Sequence, residues 1–352
     1  MTRRSVTLLA TSVLVALLLG VGLWLPVPFV VEGPGPVANT LGQVNGKPLI
    51  AVTGHPTYPT SGQLDLTTVS QNDKLTLWGA LVDYLSSDRA VLPKEITQTP
   101  GQSTADLQRE YQRQMTESQK SAVSAALHEL SIPATVTVSG VAEGSPAAGK
   151  LQDGDVLLAV DGRPVRDAVD VEAEIGAAPG GTPVQVRFRR GKAAPVEISV
   201  LPHRGADRGA ASSGGATRQT IGVDLDEHRA VHVDLHMVSI NGQAVGGPSA
   251  GLMFALGIYD VMTPGSLTNG QTIAGTGTIG PDGTVGPIGG IQQKLLGAQR
   301  NGARVFLTPA ANCPEARRAV PPGLRLVEVN TLDEAVRYLA GIGQGRSDPP
   351  SC

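Results

Sequence analysis

At 352 residues the chain is long enough for two domains and a sizeable core. A net charge of −3, with 28 basic and 31 acidic residues and no dense Lys/Arg run beyond the N-terminus, leaves nucleic-acid binding without support. With 44 Gly, 26 Pro and only 3% aromatics, the chain must turn often and build its core from Val, Leu, Ile and Ala.

Arg3 and Arg4 precede an uncharged run from Ser5 to Val31. Its most apolar part, Val6 to Leu25, would span about 30 Å as a helix, enough to cross a bilayer. The two arginines favour an N-terminus in the cytoplasm, and Pro26 and Pro28 end the helix. Residues 1–31 therefore read as a cytoplasmic tip and a single-pass anchor in the cell membrane, with everything after them extracytoplasmic. The competing reading is a cleaved signal peptide. Its apolar region should be shorter, and no A-x-A pattern follows the run. In an oxidising compartment Cys313 and Cys352 are a candidate disulfide tying the tail 343–352 to the domain, the alternative being two unpaired thiols. Nothing resembles a metal-ligand cluster, so neither metal nor cofactor is expected.

Residues 32–132 read as strands and then helix. Leu49–Val52 and the alternating Gly62–Val69 are strands. Ala105 to Leu130 lacks Gly and Pro and is helical, with Met115–Ser118 as a polar entry and Ala122, Ala125, Ala126 and Leu130 as a buried stripe. From 133 to 202 the character changes. Thr135–Val138, Asp155–Val160, Val184–Arg189 and Val196–Leu201 are strands, Asp170–Ile175 a helix, and Gly144-Ser145-Pro146-Ala147-Ala148 a turn. The Gly-Ser-Pro-Ala-Ala and Gly154-to-Gly162 stretches resemble a PDZ domain of the kind that accompanies bacterial proteases. That resemblance implies a small β-rich module that adds an extended peptide to a sheet edge. Its carboxylate-binding loop would lie near Leu130–Pro133, which holds no Gly.

Residues 203–218 are rich in Gly, Ala and Ser and read as a flexible linker. Order returns over 219–342. Val231–Val238 is a strand, Pro248–Val261 an apolar helix, and Thr272–Ile279 with Thr284–Val285 a hairpin around Pro281-Asp282-Gly283. Ile291–Arg300 is a helix stopped by Asn301-Gly302, Arg304–Leu307 and Leu324–Val329 are strands, and Leu332–Leu339 is a last helix. The class is α+β.

Two residues carry candidate chemistry. Ser249 sits at a Gly-Pro/Ala-Gly turn opening an apolar helix. Lys294 stands at the edge of the apolar face of a helix that follows a Gly-rich turn. A serine hydroxyl needs a base, and a buried lysine can be one because desolvation disfavours its ammonium. The other readings are a helix-capping serine and a solvated lysine. Gly247-Pro248-Ser249-Ala250-Gly251, Thr276-Gly277, and Gly283-x-Val285-x-Pro287-Ile288-Gly289-Gly290-Ile291-x-x-Lys294 together resemble the proteolytic domain of Lon, extended by Arg300-x-Gly302 and Pro309-x-x-Asn312. The resemblance implies Ser249 as nucleophile, Lys294 as general base and Thr276 supporting the lysine. It reaches upstream to Gly62–Leu66 and Met115-x-Glu117-Ser118, which makes the PDZ-like module an insert. The backbone N–H of Ser249 is the candidate oxyanion donor, while Pro248 has none to offer.

Two departures matter. No G-x-x-x-x-G-K-[ST] occurs in these residues, so proteolysis without ATP is expected. Gly246 stands where many ATP-driven relatives carry Asp. His232 and His236 share a strand face ahead of the serine and read as an ordinary strand pair, with a catalytic histidine the minor alternative. The whole reads as a membrane-anchored, ATP-independent serine endopeptidase acting on extracytoplasmic or membrane-protein segments, its PDZ-like module selecting protein or peptide substrates. A homo-oligomeric ring is a candidate assembly by the same resemblance. The rival readings are a non-catalytic membrane scaffold and a self-processing protein.

Overall fold

The structure is a computed structural model and describes residues 3–44, 46–97, 103–206, 217–236, 239–240, 243–343 and 349–352. Arg3–Trp24 forms one 22-residue helix, α1. Among the described residues it is the one helix long and apolar enough to cross a membrane, a test that a signal sequence near the N-terminus also passes. After Pro26 and Pro28 the chain enters β1 (Phe29–Asn39), which pairs antiparallel with β2 (Gln63–Asn72). Then come α2 (Leu77–Tyr84), capped by the Thr76 hydroxyl accepting from the Gly79 N–H, and β3 (Ala90–Pro93), on the other edge of β1. The short α3 (Lys94–Thr97) precedes α4 (Thr104–Glu129), which opens on a reciprocal Ser103/Asp106 capping box. The expected polar entry at Met115–Ser118 is corrected here. Those residues lie well inside α4, and Met115 and Ser118 are buried on the same face as Ala122, Ala125 and Ala126.

Past α4 the chain builds a separate unit. Strands β4 (Thr135–Val141) and β5 (Asp155–Val160), helix α5 (Ala168–Ala177), and strands β6 (Val184–Arg190), β7 (Val196–Val200) and β8 (Val223–His228) give an antiparallel sheet ordered β7-β6-β5-β4-β8. Its own core holds Val136, Val138, Leu157, Val160, Val171, Ile175, Val186 and Phe188. The unit therefore continues to residue 228, beyond the residue-202 boundary read from sequence. Within the expected linker, His203–Ala206 and Thr217–Thr220 pair antiparallel, while 207–216 lie outside the described residues. Gly/Ala/Ser composition conceals such pairing because a ladder is made by backbone groups, not by apolar side chains.

The chain then returns to the first unit. His232–Leu235 pairs with Ile50–Thr53, while Met237 and Val238, the end of the strand expected from sequence, lie outside the described residues. Helix α6 (Gly251–Met262), strand β9 (Thr272–Gly275), helix α7 (Ile291–Arg300), strands β10 (Val305–Pro309) and β11 (Arg325–Val329), and helix α8 (Leu332–Gly343) complete it. The expected hairpin divides in two. Thr272–Gly275 joins the large sheet, and only Thr278–Ile279 pairs back onto Val285–Gly286.

The large sheet is ordered β11-β10-β9-β2-β1-β3, with β11, β10, β9 and β2 parallel and the last two strands antiparallel. Helix α6 is apolar almost all round, as a helix enclosed on every side must be. It packs Leu252, Phe254 and Leu256 among Leu64 and Leu66 of β2, Ala122 and Ala126 of α4, and Leu332 and Leu339 of α8. The opposite face of the sheet is covered by α7, whose Ile291, Leu295 and Ala298 meet Ala274, Phe306 and Leu326. The alternation of side chains along each strand serves both faces at once. Cys313 and Cys352 are bonded, and the tail is held further by the Glu328 N–H donating to Pro350 O at 2.9 Å, along the edge strand β11. The bridge closes a 39-residue separation, so Cys352→Ser should cost about 2–4 kcal/mol. Urea unfolding of wild type, reduced wild type and variant checks this, with the last two expected to coincide.

Candidate active site

The turn before α6 is fastened to α4. Gly247 takes φ +84°, a conformation that favours glycine, and its N–H donates to Tyr111 O at 2.9 Å. A side chain on Gly246 would place its Cβ 2.7 Å from Tyr111 Cβ, so α4 packs directly against this turn. Ser118 donates its hydroxyl to Pro248 O at 2.9 Å, and Gln112 Nε2 donates to Val245 O at 3.1 Å. Ser249 then precedes α6, at the positive end of its dipole, and among the described residues its N–H meets no acceptor.

Lys294 is placed from the other face of the sheet. Helix α7 begins after Gly290, which is left-handed at φ +65° and passes Val69 so closely that a Cβ would sit 2.6 Å from Val69 Cγ2. Lys294 follows one turn later on the face shared with Ile291 and Ala298 and is 2% exposed. Its Nζ lies 2.8 Å from Ser249 Oγ and 2.9 Å from Thr276 Oγ1. Thr276, just past β9, is fully buried and donates its hydroxyl to Ser249 O at 2.9 Å, the carbonyl that also accepts from the Gly277 N–H. With its one proton committed, the threonine offers the lysine a lone pair. An ammonium has three protons to place but finds two acceptors among the described residues, whereas a neutral amine has two N–H and a lone pair left for the serine hydroxyl. Burial lowers the lysine pKa from 10.5 to about 7, opposed by the negative charge of Glu32.

These groups open into a cleft of about 890 Å³ bordered by β1, β2, α4 and the Pro287–Gly289 loop. Asn312 clamps that loop, accepting from the Ile288 N–H at 3.0 Å and donating to Ile288 O at 2.9 Å. Sequence reading missed Glu32 and the bracing role of Ser118. Glu32 lay just past the anchor with no motif around it. Ser118 carried a signal, its spacing of three from Met115 and four from Ala122 on an otherwise apolar face. His232 and His236 do not line the cleft. Both are exposed, and His232 Nε2 instead meets Asp234 Oδ1 at 3.0 Å. His128, Asp167 and Asp170 come within metal-ligand reach of one another. Asp167, however, caps α5 through the Asp170 N–H and meets His128 Nδ1 at 2.7 Å.

The second unit has its own groove, about 580 Å³, between α5 and β8. At its end stands Thr220-Ile221-Gly222-Val223, with Gly222 at φ +74°. A carboxylate-binding loop was expected near Leu130–Pro133. Those residues join α4 to β4, where Ile132 O accepts from Arg229 Nη1, and none of them lines the groove.

Comparison with known proteins finds two domains, with boundaries that differ from those of the two structural units. Residues 206–340 match the Lon protease (S16) C-terminal proteolytic domain, and residues 102–200 match the PDZ domain. Lon protease 1 of Sorangium cellulosum is 34% identical over 172 residues, 44% of this chain and 21% of that protein. The Lon protease of Neorickettsia sennetsu is 31% identical over 109 residues, 30% of this chain and 13% of that protein. The chain thus spans about a fifth or less of the length of these relatives. The solved PDZ domain of an SdrC-like protein from Listeria innocua matches at 24% identity and a TM-score of 0.23, covering 27% of this chain and 98% of that domain.

The depressed lysine has a consequence for stability. Its folded pKa of about 7 lies below the unfolded 10.5, so between those values the unfolded chain binds more protons and stability rises with pH. The gain is lost as pH falls through about 7. Lys294→Met should flatten this slope and stabilise the protein at roughly pH 6 by a few kcal/mol, at 1.36 kcal/mol per pKa unit. Urea midpoints measured from about pH 6 to 10 decide it, and parallel slopes for the two proteins would show that the amine is solvated.

Proposed function

We propose that this chain, which joins a proteolytic domain of the Lon type to a PDZ domain, is a serine endopeptidase working through Ser249 and Lys294. The observation that carries the reading is the buried Lys294 amine, 2.8 Å from Ser249 Oγ with Thr276 on its other side. The neutral amine takes the serine proton, Oγ attacks the scissile carbonyl, and the resulting ammonium protonates the leaving amine. The Ser249 N–H stands where an oxyanion would form, and Thr276 keeps the amine aimed. Water then releases the acyl group by the same proton relay in reverse. This chemistry needs no nucleotide, and these 352 residues hold no phosphate-binding loop of the Walker type.

In this reading α1 stays in the membrane with Arg3 and Arg4 in the cytoplasm, which places the cleft outside. The edge of β8, which among the described residues pairs with β4 alone, receives an extended substrate segment beside α5. The substrates are extracytoplasmic or membrane-protein segments, and the groove supplies binding remote from the chemistry.

Hydrolysis of a short peptide without ATP tests the dyad. Ser249→Ala and Lys294→Ala should each abolish activity, and the double variant should be little worse than either, because both serve one proton transfer. Lys294→Arg should be equally inactive, since a guanidinium stays protonated. If Lys294→Arg keeps most of the wild-type rate, the lysine is not the base.

The pH profile provides a separate check. Wild-type activity should rise with pH through about 7 as the lysine loses its proton. Glu32→Gln removes the charge that holds the lysine pKa up, so its profile should shift to lower pH. A shift to higher pH would mean that the titrating group is not Lys294.

A further inference from the structure

The end of α1 is built into the folded domain rather than tethered to it. The Leu77 N–H donates to Leu25 O at 3.0 Å, the Val27 N–H to Leu75 O at 3.1 Å, and the Lys94 N–H to Pro28 O at 3.1 Å. Helices α2 and α3 therefore both start beside the residues that leave α1. Helix α2 also lies back along it. Trp78 Nε1 donates to Leu19 O at 2.9 Å, and a Cβ on Gly22 would run into the Trp78 indole. Leu19 precedes Trp24 by five residues, so the indole sits roughly 7–8 Å below the end of the apolar span.

The outward face of α2 with its cap residue Leu85, and Ile96 beside the exposed Glu95 on α3, leave large apolar side chains uncovered to a degree unusual for a water-facing surface. Val82 is 68% exposed, Tyr84 72%, Leu85 77% and Ile96 72%, and Trp24 at the end of α1 is 86% exposed. The inner side of α2 packs Ala80 with Val31 and Leu75, and Asp83 turns away from the apolar face to pair with Arg89. An amphipathic helix at the depth of a span's last turns, with Trp and Tyr around it, fits the interfacial layer of a bilayer.

We propose that α2 and α3 form a foot that lies in the outer interfacial layer of the membrane around the exit of α1, its occupant being lipid. The proposal rests on the reading of α1 as a retained anchor. Its continuity with that span, through three backbone hydrogen bonds and the Trp78 contact, argues for lipid over a protein partner. The consequence concerns substrate. Val30 lines the cleft and lies six residues beyond Trp24, a reach of at most about 20 Å even for fully extended chain. The foot and the short β1 connection hold the cleft mouth close to the bilayer, so the segments presented to Ser249 are those near a membrane surface.

The test uses the full chain in vesicles of phosphatidylcholine and phosphatidylglycerol. Single cysteines are introduced as Val13→Cys, Leu85→Cys or Glu197→Cys and labelled with an environment-sensitive fluorophore without reductant, leaving the Cys313–Cys352 bridge intact. Lipids spin-labelled near the glycerol end of the acyl chain should quench most of the Leu85 emission, and deeper labels the Val13 emission. Glu197, on β7 of the second unit, should stay unquenched. Adding Val82→Glu and Ile96→Glu should abolish quenching at Leu85 while leaving the rate on a short soluble peptide unchanged. Quenching at Val13 without quenching at Leu85 overturns the foot and leaves the anchor standing. Quenching at neither overturns both. Protection of Leu85 from aqueous iodide without lipid quenching also overturns the proposal, since a second copy or another protein would then cover the face.

Discussion

An amine enclosed among apolar side chains and two hydroxyls is the constraint on which the candidate site depends. In water Lys294 would hold its proton at neutral pH and offer Ser249 nothing but another donor. Burial at 2% exposure disfavours that charge and brings the pKa to about 7. The amine is kept in place by short contacts to Ser249 and Thr276. Glu32 opposes the effect of burial, so the lysine is tuned between a desolvating wall and one distant carboxylate rather than simply neutralised.

The sheet makes that arrangement possible. Ser249 arrives with α6 on one face, Lys294 with α7 on the other, and the two meet past the end of β9, where Thr276 leaves the sheet. Neither helix could carry both groups. The close approaches are glycine approaches: Gly251 against Ile279 and Ser118, and Gly290 against Val69. Helix α4 braces the serine turn through Tyr111, Gln112 and Ser118. The same helix carries His128 in its last turn, and the His128 pKa is pushed up by its hydrogen bond to Asp167, the cap of the groove helix α5. One helix thus touches both the serine turn and the wall of the second unit's groove.

Much of the site was legible because its residues announce themselves by local chemistry. Gly-Pro-Ser-Ala-Gly at the head of an apolar helix, and Gly-Gly followed at four residues by Lys, each specify a turn and a helix position. Glu32 was illegible because its part is played by charge at a distance. Ser118 was misread because a polar residue in a helix looks solvent-facing until the carbonyl it serves is known.

By itself the sequence determined the periodicities and the special backbone positions. The 22-residue apolar helix, the alternation of β6 and the enclosed helix α6 each bury or expose side chains at a fixed period set by 3.6 or 2 residues. Only the tertiary structure decided what lies across from what. It brought residues 45 positions apart to 2.8 Å, split one expected hairpin between two sheets, carried β8 back to close the second unit, and laid α2 along the end of α1. The physical reason is that local pattern says which face of an element is apolar but not which partner will cover it. Partner choice, and with it the depth at which a lysine loses its water, is settled only when all the faces are buried together.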